Sequence, residues 1–402
     1  MCSSDLGLAI GERVERRLAA TDWEHALLGV LAIGIAWSTF AILVSPNALP
    51  APALDGTFLA PAQARVLVIA AGITGLSGLL RHPPLGRLHL PVLVGFVLVH
   101  LLWVVASSGW PGIDVFFFER DAGIRLGQLL DPYTGTITNI YGSIDPYGAG
   151  YATAERVLLG HPYPPVSLIV TSVGQLLLGE PRIGLVLAIG ATGTIAGAMR
   201  RDPVGRGAAA LLLLTPVLPF LVHEAFVEPV AIVLLAATVD AARRSPRVTA
   251  LCLGLFLFAK QTCLVALPLI PMLIRAGAPR REVVRLVAIA VAAALLAVLP
   301  FLLWDPGAFV RNVVAFHLDS PFRADSLGLG PTIATVLGGV PAWITGIAAL
   351  AALGLVLRRA PWTPAGFAAW TGFLLLVLAS FAKQAFPNYD LLVVGALCIA
   401  IA

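Results

Sequence analysis

The chain has two lysines, and both stand in the same four-residue setting: Phe258-Ala259-Lys260-Gln261 and Phe381-Ala382-Lys383-Gln384. Each follows an apolar stretch. An ammonium in hydrocarbon costs about 2.5–3.5 kcal/mol on insertion scales, so an intramembrane lysine is usually paired or functional. Two such cations near one outer rim suit an anionic, membrane-embedded ligand, namely a lipid phosphate. The competing reading is that both snorkel to the headgroups. A carboxylate is available at Asp114, which follows Trp110-Pro111-Gly112-Ile113 and precedes Phe116-Phe117-Phe118. An acid at the mouth of an apolar span, beside aromatics that seat at the interface, suits a general base partly shielded from water. It equally suits a solvated loop acid or the cap of the helix that follows.

Other groups are weaker. Asp131-Pro132-Tyr133 and His161-Pro162-Tyr163-Pro164-Pro165 bracket an acidic segment, and their prolines make rigid corners that present tyrosine rings. His223-Glu224 with Glu228 lacks the HExxH spacing, because position 227 is Val, so zinc-protease chemistry is not supported. Glu228 before Pro229 also suits a helix start, where an acid complements the dipole. His317, Asp319, Arg323 and Asp325 make the stretch 305–330 polar, and Asn388-Tyr389-Asp390 opens a late apolar run. Cys2, Cys252, Cys263 and Cys398 show no CxxC spacing and read as small apolar fillers. No metal set and no cofactor is expected, although a divalent ion stays open. There is neither a Walker A sequence nor a GxGxxG after a strand.

These side chains must be held by a membrane-embedded scaffold. Of 402 residues, 58% are hydrophobic and 12% charged, and mean hydropathy is +0.91. Soluble domains carry about 25% charged residues, so this chain cannot coat a globular surface of its size with ionised groups. A net charge of +4 without a basic run excludes nucleic acid as a partner. The lipid bilayer is the expected surrounding. Apolar stretches at 25–44, 65–80, 89–107, 181–199, 207–222, 229–242, 286–304, 341–357, 363–380 and 388–402 read as spans. Residues 164–178 are short for a crossing, and 248–274 are interrupted at Lys260-Gln261.

Arginine clusters at 13–17, 81–87, 200–206, 243–247, 275–285 and 358–359 mark the cytoplasmic side. Residues 248–259 and 263–274 then form a hairpin of two short helices whose tip, Lys260, points outward. The segment 164–178 becomes partial or re-entrant. The long stretch 108–163, rich in Gly, Pro and Tyr, falls outside, with Phe116–Leu130 as an amphipathic helix on the membrane surface. The organisation expected is one integral membrane domain over 1–402. N-terminal spans occupy 25–107, an extracytoplasmic catalytic loop 108–163, and further spans 164–402. The polar start Met1–Gly7 and an end inside an apolar run read as an unreliable start and a truncated end.

At these residues the chain resembles the glycosyltransferase C superfamily, specifically the family 87 polyprenyl-phosphate-mannose-dependent mannosyltransferases. The features, in order, are the Asp114 loop leading to Leu130-Asp131-Pro132-Tyr133; Tyr163-Pro164-Pro165; Gly254-Leu255 leading to Lys260 and Leu267-Pro268; and Lys383-Gln384-Ala385-Phe386-Pro387-Asn388-Tyr389. Three spans precede the loop here, where the family usually has one. The resemblance implies an all-α polytopic bundle of about 11–13 transmembrane helices, with juxtamembrane helices in the first large outer loop. It implies inverting transfer of a hexose, mannose first, from a polyprenyl-phosphate sugar donor to a lipid or glycan acceptor on the extracytoplasmic side. Asp114 would be the catalytic base. Lys260, Lys383 and Arg323 would bind the donor phosphate. Glu119, Asp131, Tyr133, Tyr163, His223, Glu224, Glu228, Gln261, Gln384 and Tyr389 would line the sugar and acceptor pocket. The rival classes are a transporter or lipid-linked-sugar flippase, and a polytopic protein without catalysis.

Overall fold

The computed structural model describes residues 4–45, 60–274, 278–323, 326–337 and 342–402, with side chains of the first helix from Trp23 onward. Cys2, Arg275, Asp325, the loop 46–59 and the side chains of Arg13, Arg16 and Arg17 lie outside the described residues. Helices α1 (Ser4–Val44), α2 (Pro61–Ser77) and α3 (His89–Ser107) come first. The polar segment after them carries α4 (Asp114–Gly127) and a minimal antiparallel ladder, β1 (Ile137–Thr138) with β2 (Arg156–Val157). Then follow α5 (Pro165–Leu178), α6 (Arg182–Met199), α7 (Pro203–Leu213), α8 (Val217–His223), α9 (Glu228–Ala242) and α10 (Pro246–Leu257). A 3₁₀ segment (Gln261–Leu273) leads to α11 (Arg280–Trp304), α12 (Pro306–Val310), a π turn (Arg311–Ala315) and α13 (Phe316–Asp319). The chain closes with α14 (Leu329–Leu337), α15 (Ala342–Arg359), α16 (Pro364–Phe381) and α17 (Asn388–Ile401).

The architecture is an all-helical bundle whose outward faces are apolar. Leu296, Leu303 and Ile33 point away from the protein, the reverse of a soluble helix. Five helices among the described residues are long and apolar enough to cross a membrane: Trp23–Val44, Gly86–Ser107, Arg182–Met199, Arg280–Trp304 and Pro364–Phe381. A sixth crossing is available if α7 and α8, bent by 42° at their break, act as one span. This is a multi-pass membrane protein. The number of helices that meet the length of a crossing by themselves is lower than the 11–13 expected. The reason is local: α5, α10, the 3₁₀ segment and α17 are apolar but only 10–17 residues long. At 1.5 Å per residue, such a helix falls short of a hydrocarbon core about 30 Å thick.

Proline sets many of these boundaries. It occupies the first turn of α5, α7, α9, α10 and α16, where its missing N–H is harmless. Asp202, Ser245 and Thr363 cap α7, α10 and α16 by accepting from the backbone of Gly205, Val248 and Gly366. Pro268 and Pro271 fall inside the stretch after Lys260 and keep it from forming an α-helix. The expected helical hairpin is therefore corrected. α10 ends at Leu257, Lys260 is extended, and the second arm is a 3₁₀ segment packed on α16, whereas α10 packs on α9 and α11.

The expected surface helix is also corrected. α4 is built into the bundle along α5, with Phe116, Phe118 and Ala122 each buried in a different apolar cluster. Its apolar residues face several directions, so one membrane-facing stripe would not cover them. Phe118 belongs to a small separate cluster with Ile137, Tyr147, Tyr151, Val157 and Leu159. That cluster seats the loop over the helix ends.

Candidate active site

Asp114 is the first residue of α4, after an extended Ile113. Its carboxyl is half-buried and surrounded by phenols: the Tyr141 hydroxyl donates to Oδ1 at 3.4 Å. The Tyr147 hydroxyl, itself buried and without a closer partner, acts on the same carboxyl. Burial pushes Asp114 above the ordinary carboxylate range. Tyr147, the charge of Arg323, the Val115 backbone and Tyr141 oppose that rise without cancelling it. The same burial, reinforced by the Asp114 charge, raises both tyrosines, so they stay protonated and act as donors. A carboxylate held this way keeps its basicity in a water-poor site.

A second group gathers where α9, α10 and α17 meet. Glu228, the first residue of α9 and fully buried, forms an ion pair with Lys260 and also accepts from Asn388 Nδ2 at the start of α17. The Lys260 ammonium lies 4.9 Å from the Tyr389 ring centroid and 5.7 Å from that of Tyr163. Gln261 donates from Nε2 to the carbonyls of Pro162 and Val313, at 2.9 and 3.0 Å. Lys260 thus stands in an aromatic frame with its charge already balanced by Glu228.

Tyr163 joins the two groups. Burial raises its hydroxyl, and the charges of Asp114, Glu228 and Glu119 all act on it. His317 leans over the same ring and donates from Nε2 to the Pro162 carbonyl at 2.7 Å.

Lys383 and Arg323 occupy the rim. The Lys383 ammonium donates to the carbonyls of Leu318 and Ser320, at 2.6 and 3.1 Å, at the C-terminal end of α13. Gln384 donates to the Pro321 carbonyl at 3.2 Å. Arg323 stacks on Phe386, 4.8 Å from the ring centroid, and its charge reaches Asp114. The backbone of Arg323 donates to the Lys383 carbonyl, so the two cations share one crossing of chain segments.

The remaining expected residues are placed elsewhere. Glu119 is fully buried against His161 and Thr171. Asp131 accepts from the Tyr133 backbone at 2.9 Å, and the Tyr133 ring is wedged between His161, Phe301 and Phe309. These three build the corner under the loop and touch no open surface of the site. His223 and Glu224 face each other at 3.5 Å in a separate polar group around the buried Arg182. Arg182 also pairs with Glu180 and lies over Phe116. Burial lifts Glu224 to about 7 against the pull of Arg182.

Tyr141, Tyr147, His161, His317 and Asn388 were not among the expected site residues. One signal was available: five of the six tyrosines, at 133, 141, 147, 151 and 163, fall in one loop. Among the described residues, no group of three or more His, Cys, Asp or Glu stands close enough to hold a metal ion.

No protein-family model and no curated protein matches the sequence. Among solved structures, the chain is similar to ArnT from Cupriavidus metallidurans bound to undecaprenyl phosphate, at 17% identity and a TM-score of 0.49. The alignment covers 78% of this chain and 60% of that one.

Proposed function

We propose that the chain is a membrane glycosyltransferase that moves a hexose, mannose first, from a polyprenyl-phosphate donor to a lipid or glycan acceptor at its extracytoplasmic side. The observation that carries this reading is Asp114: a basic, half-buried carboxylate set in phenol donors with the Arg323 cation close by. In the proposed step, Asp114 takes the acceptor hydroxyl proton. The acceptor oxygen attacks the anomeric carbon, the bond to the phosphate oxygen breaks, and the phosphate leaves with the electron pair. One displacement inverts the centre, and the leaving phosphate needs cations rather than a second carboxylic acid. Arg323 is best placed to meet it, with Lys383 beside it. Lys260, balanced by Glu228, frames the sugar side with Tyr163 and Tyr389.

A second reading is favoured by one observation. Among the described residues, α7 and α8 form a bent pair, and α10 stops before a separate 3₁₀ continuation. Discontinuous helices are common in transporters, so transport of a lipid-linked sugar without chemistry is the rival.

Membranes carrying the protein, supplied with labelled polyprenyl-phosphate mannose and a mixture of lipid and glycan acceptors, separate the two. Transfer of label that disappears in Asp114→Asn, at unchanged expression, is the expected result. A loss of at least 10²-fold is typical when a general base is removed. Movement of label across vesicles without any transfer would establish the rival, and normal transfer by Asp114→Asn would remove Asp114 from its role.

A further inference from the structure

Glu119 and His161 meet inside the protein with no side-chain surface exposed on either, Nε2 to Oε1 at 2.9 Å. The second oxygen of Glu119 accepts from Thr171 Oγ1 at 2.6 Å. On the other edge of the imidazole, Nδ1 lies 3.0 Å from the Tyr163 carbonyl, which also accepts from the Tyr133 hydroxyl at 3.0 Å. A carbonyl can only accept, so the Nδ1 contact requires a proton on that nitrogen. Nε2 then meets a carboxyl oxygen, and this contact needs one further proton, carried by the ring or by the acid. Either ownership leaves Oε2 free to accept from Thr171. The two side chains are therefore joined through a proton, and every polar atom of the pair is satisfied.

Neither group can reach a ligand. What they reach is both halves of the site. Glu119 rides on α4 five residues after Asp114, and it anchors that helix to Thr171 of α5. His161 pins the backbone of Tyr163, whose ring stands between the Asp114 group and the Glu228–Lys260 pair. We propose that Glu119 and His161 are positioning residues: a strut that fixes the base on α4 relative to the Tyr163 face of the pocket. The proposal rests on Asp114 acting as the base.

Two substitutions test it. Glu119→Ala leaves Nε2 and the Thr171 hydroxyl without their partner. Glu119→Gln rebuilds every contact without the shared proton, since its amide donates to Nε2 and its carbonyl accepts from Thr171. Misplacing a base by about 1 Å costs about 10²-fold. The expected result is that Glu119→Ala lowers kcat by about that factor with KM within about twofold, and that Glu119→Gln recovers kcat to within about threefold of the native chain. The second readout is the ¹⁵N spectrum of histidine-labelled protein, with His161 assigned through His161→Gln. In the native chain Nδ1 is expected at the position of a protonated ring nitrogen, and in Glu119→Gln Nε2 is expected at that of an unprotonated one with Nδ1 still protonated. A native Nδ1 without its proton overturns the strut, as does a protonated Nε2 in Glu119→Gln or an equal kcat loss in the two variants while both remain folded. Should the native chain transfer no sugar at all, the proposed function fails, whereas the nitrogen spectrum still decides whether the strut exists.

Discussion

Asp114 has its water replaced by tyrosine hydroxyls, and this makes its basicity adjustable one atom at a time. Burial raises the carboxyl, and the Tyr147 hydroxyl is the largest of the groups that bring it back down. Tyr147→Phe removes that donor, so the carboxyl rises further. A base works only when deprotonated, so its acidic limb must move with it. The rate–pH profile of Tyr147→Phe should therefore lose activity at a higher pH than the native chain and match it on the alkaline side. A profile that does not move, measured as kcat/KM across the acid range, would detach Tyr147 from the carboxyl. Lys260 shows the opposite arrangement. Its partner Glu228 is 32 positions away in the chain, and Asn388, the second donor to Glu228, is 160 positions from that acid, so no spacing rule reveals the group. An intramembrane lysine could be recognised from residue type; the acid that balances it became visible only once α9 and the end of α10 were brought together.

Helices are where sequence and structure agree most closely, because each span is a local statement about hydropathy and proline. The apolar stretches at 181–199 and 363–380 appear as α6 (Arg182–Met199) and α16 (Pro364–Phe381). What hydropathy could not convey was how short or irregular an apolar stretch would be, as with the 3₁₀ run after Lys260. Nor could it place α4, whose burial depends on the helix it lands on. The Gly254-Leu255 motif has a packing explanation. A Cβ on Gly254 would stand 2.1 Å from the Ala290 carbonyl, so this glycine lets α10 touch α11. Gly254→Leu should cost about 1–3 kcal/mol through overpacking, read as an earlier thermal transition in detergent. An unchanged transition would mean that the two helices separate freely, and the fixed geometry at Lys260, six residues on, would lose its support.

At the scale of the whole molecule, charge is scarce and sorted. All but two of the 26 basic residues are arginine. The loop 108–163 is fastened to the later helices through Tyr151, which donates to Asp319 at 2.7 Å, and through Arg311, which donates to the carbonyls of Gly150 and Leu158. Those links join residues more than 150 positions apart, so Asp114 and Arg323 come to share one site only in the folded chain. The scarcity of lysine has a practical corollary for chemical labelling. An acylating reagent finds two side-chain amines, and Lys260 is sealed against Glu228. Lys383, half-buried at the rim, is the amine that such a reagent should modify first. If a polyprenyl phosphate seats beside Arg323, mass spectrometry of the peptide containing Lys383 should show protection that grows with lipid concentration. Labelling at Lys383 that ignores the lipid would place the phosphate elsewhere. A single amine would then report occupancy of the site without a turnover event, whichever sugar the lipid carries.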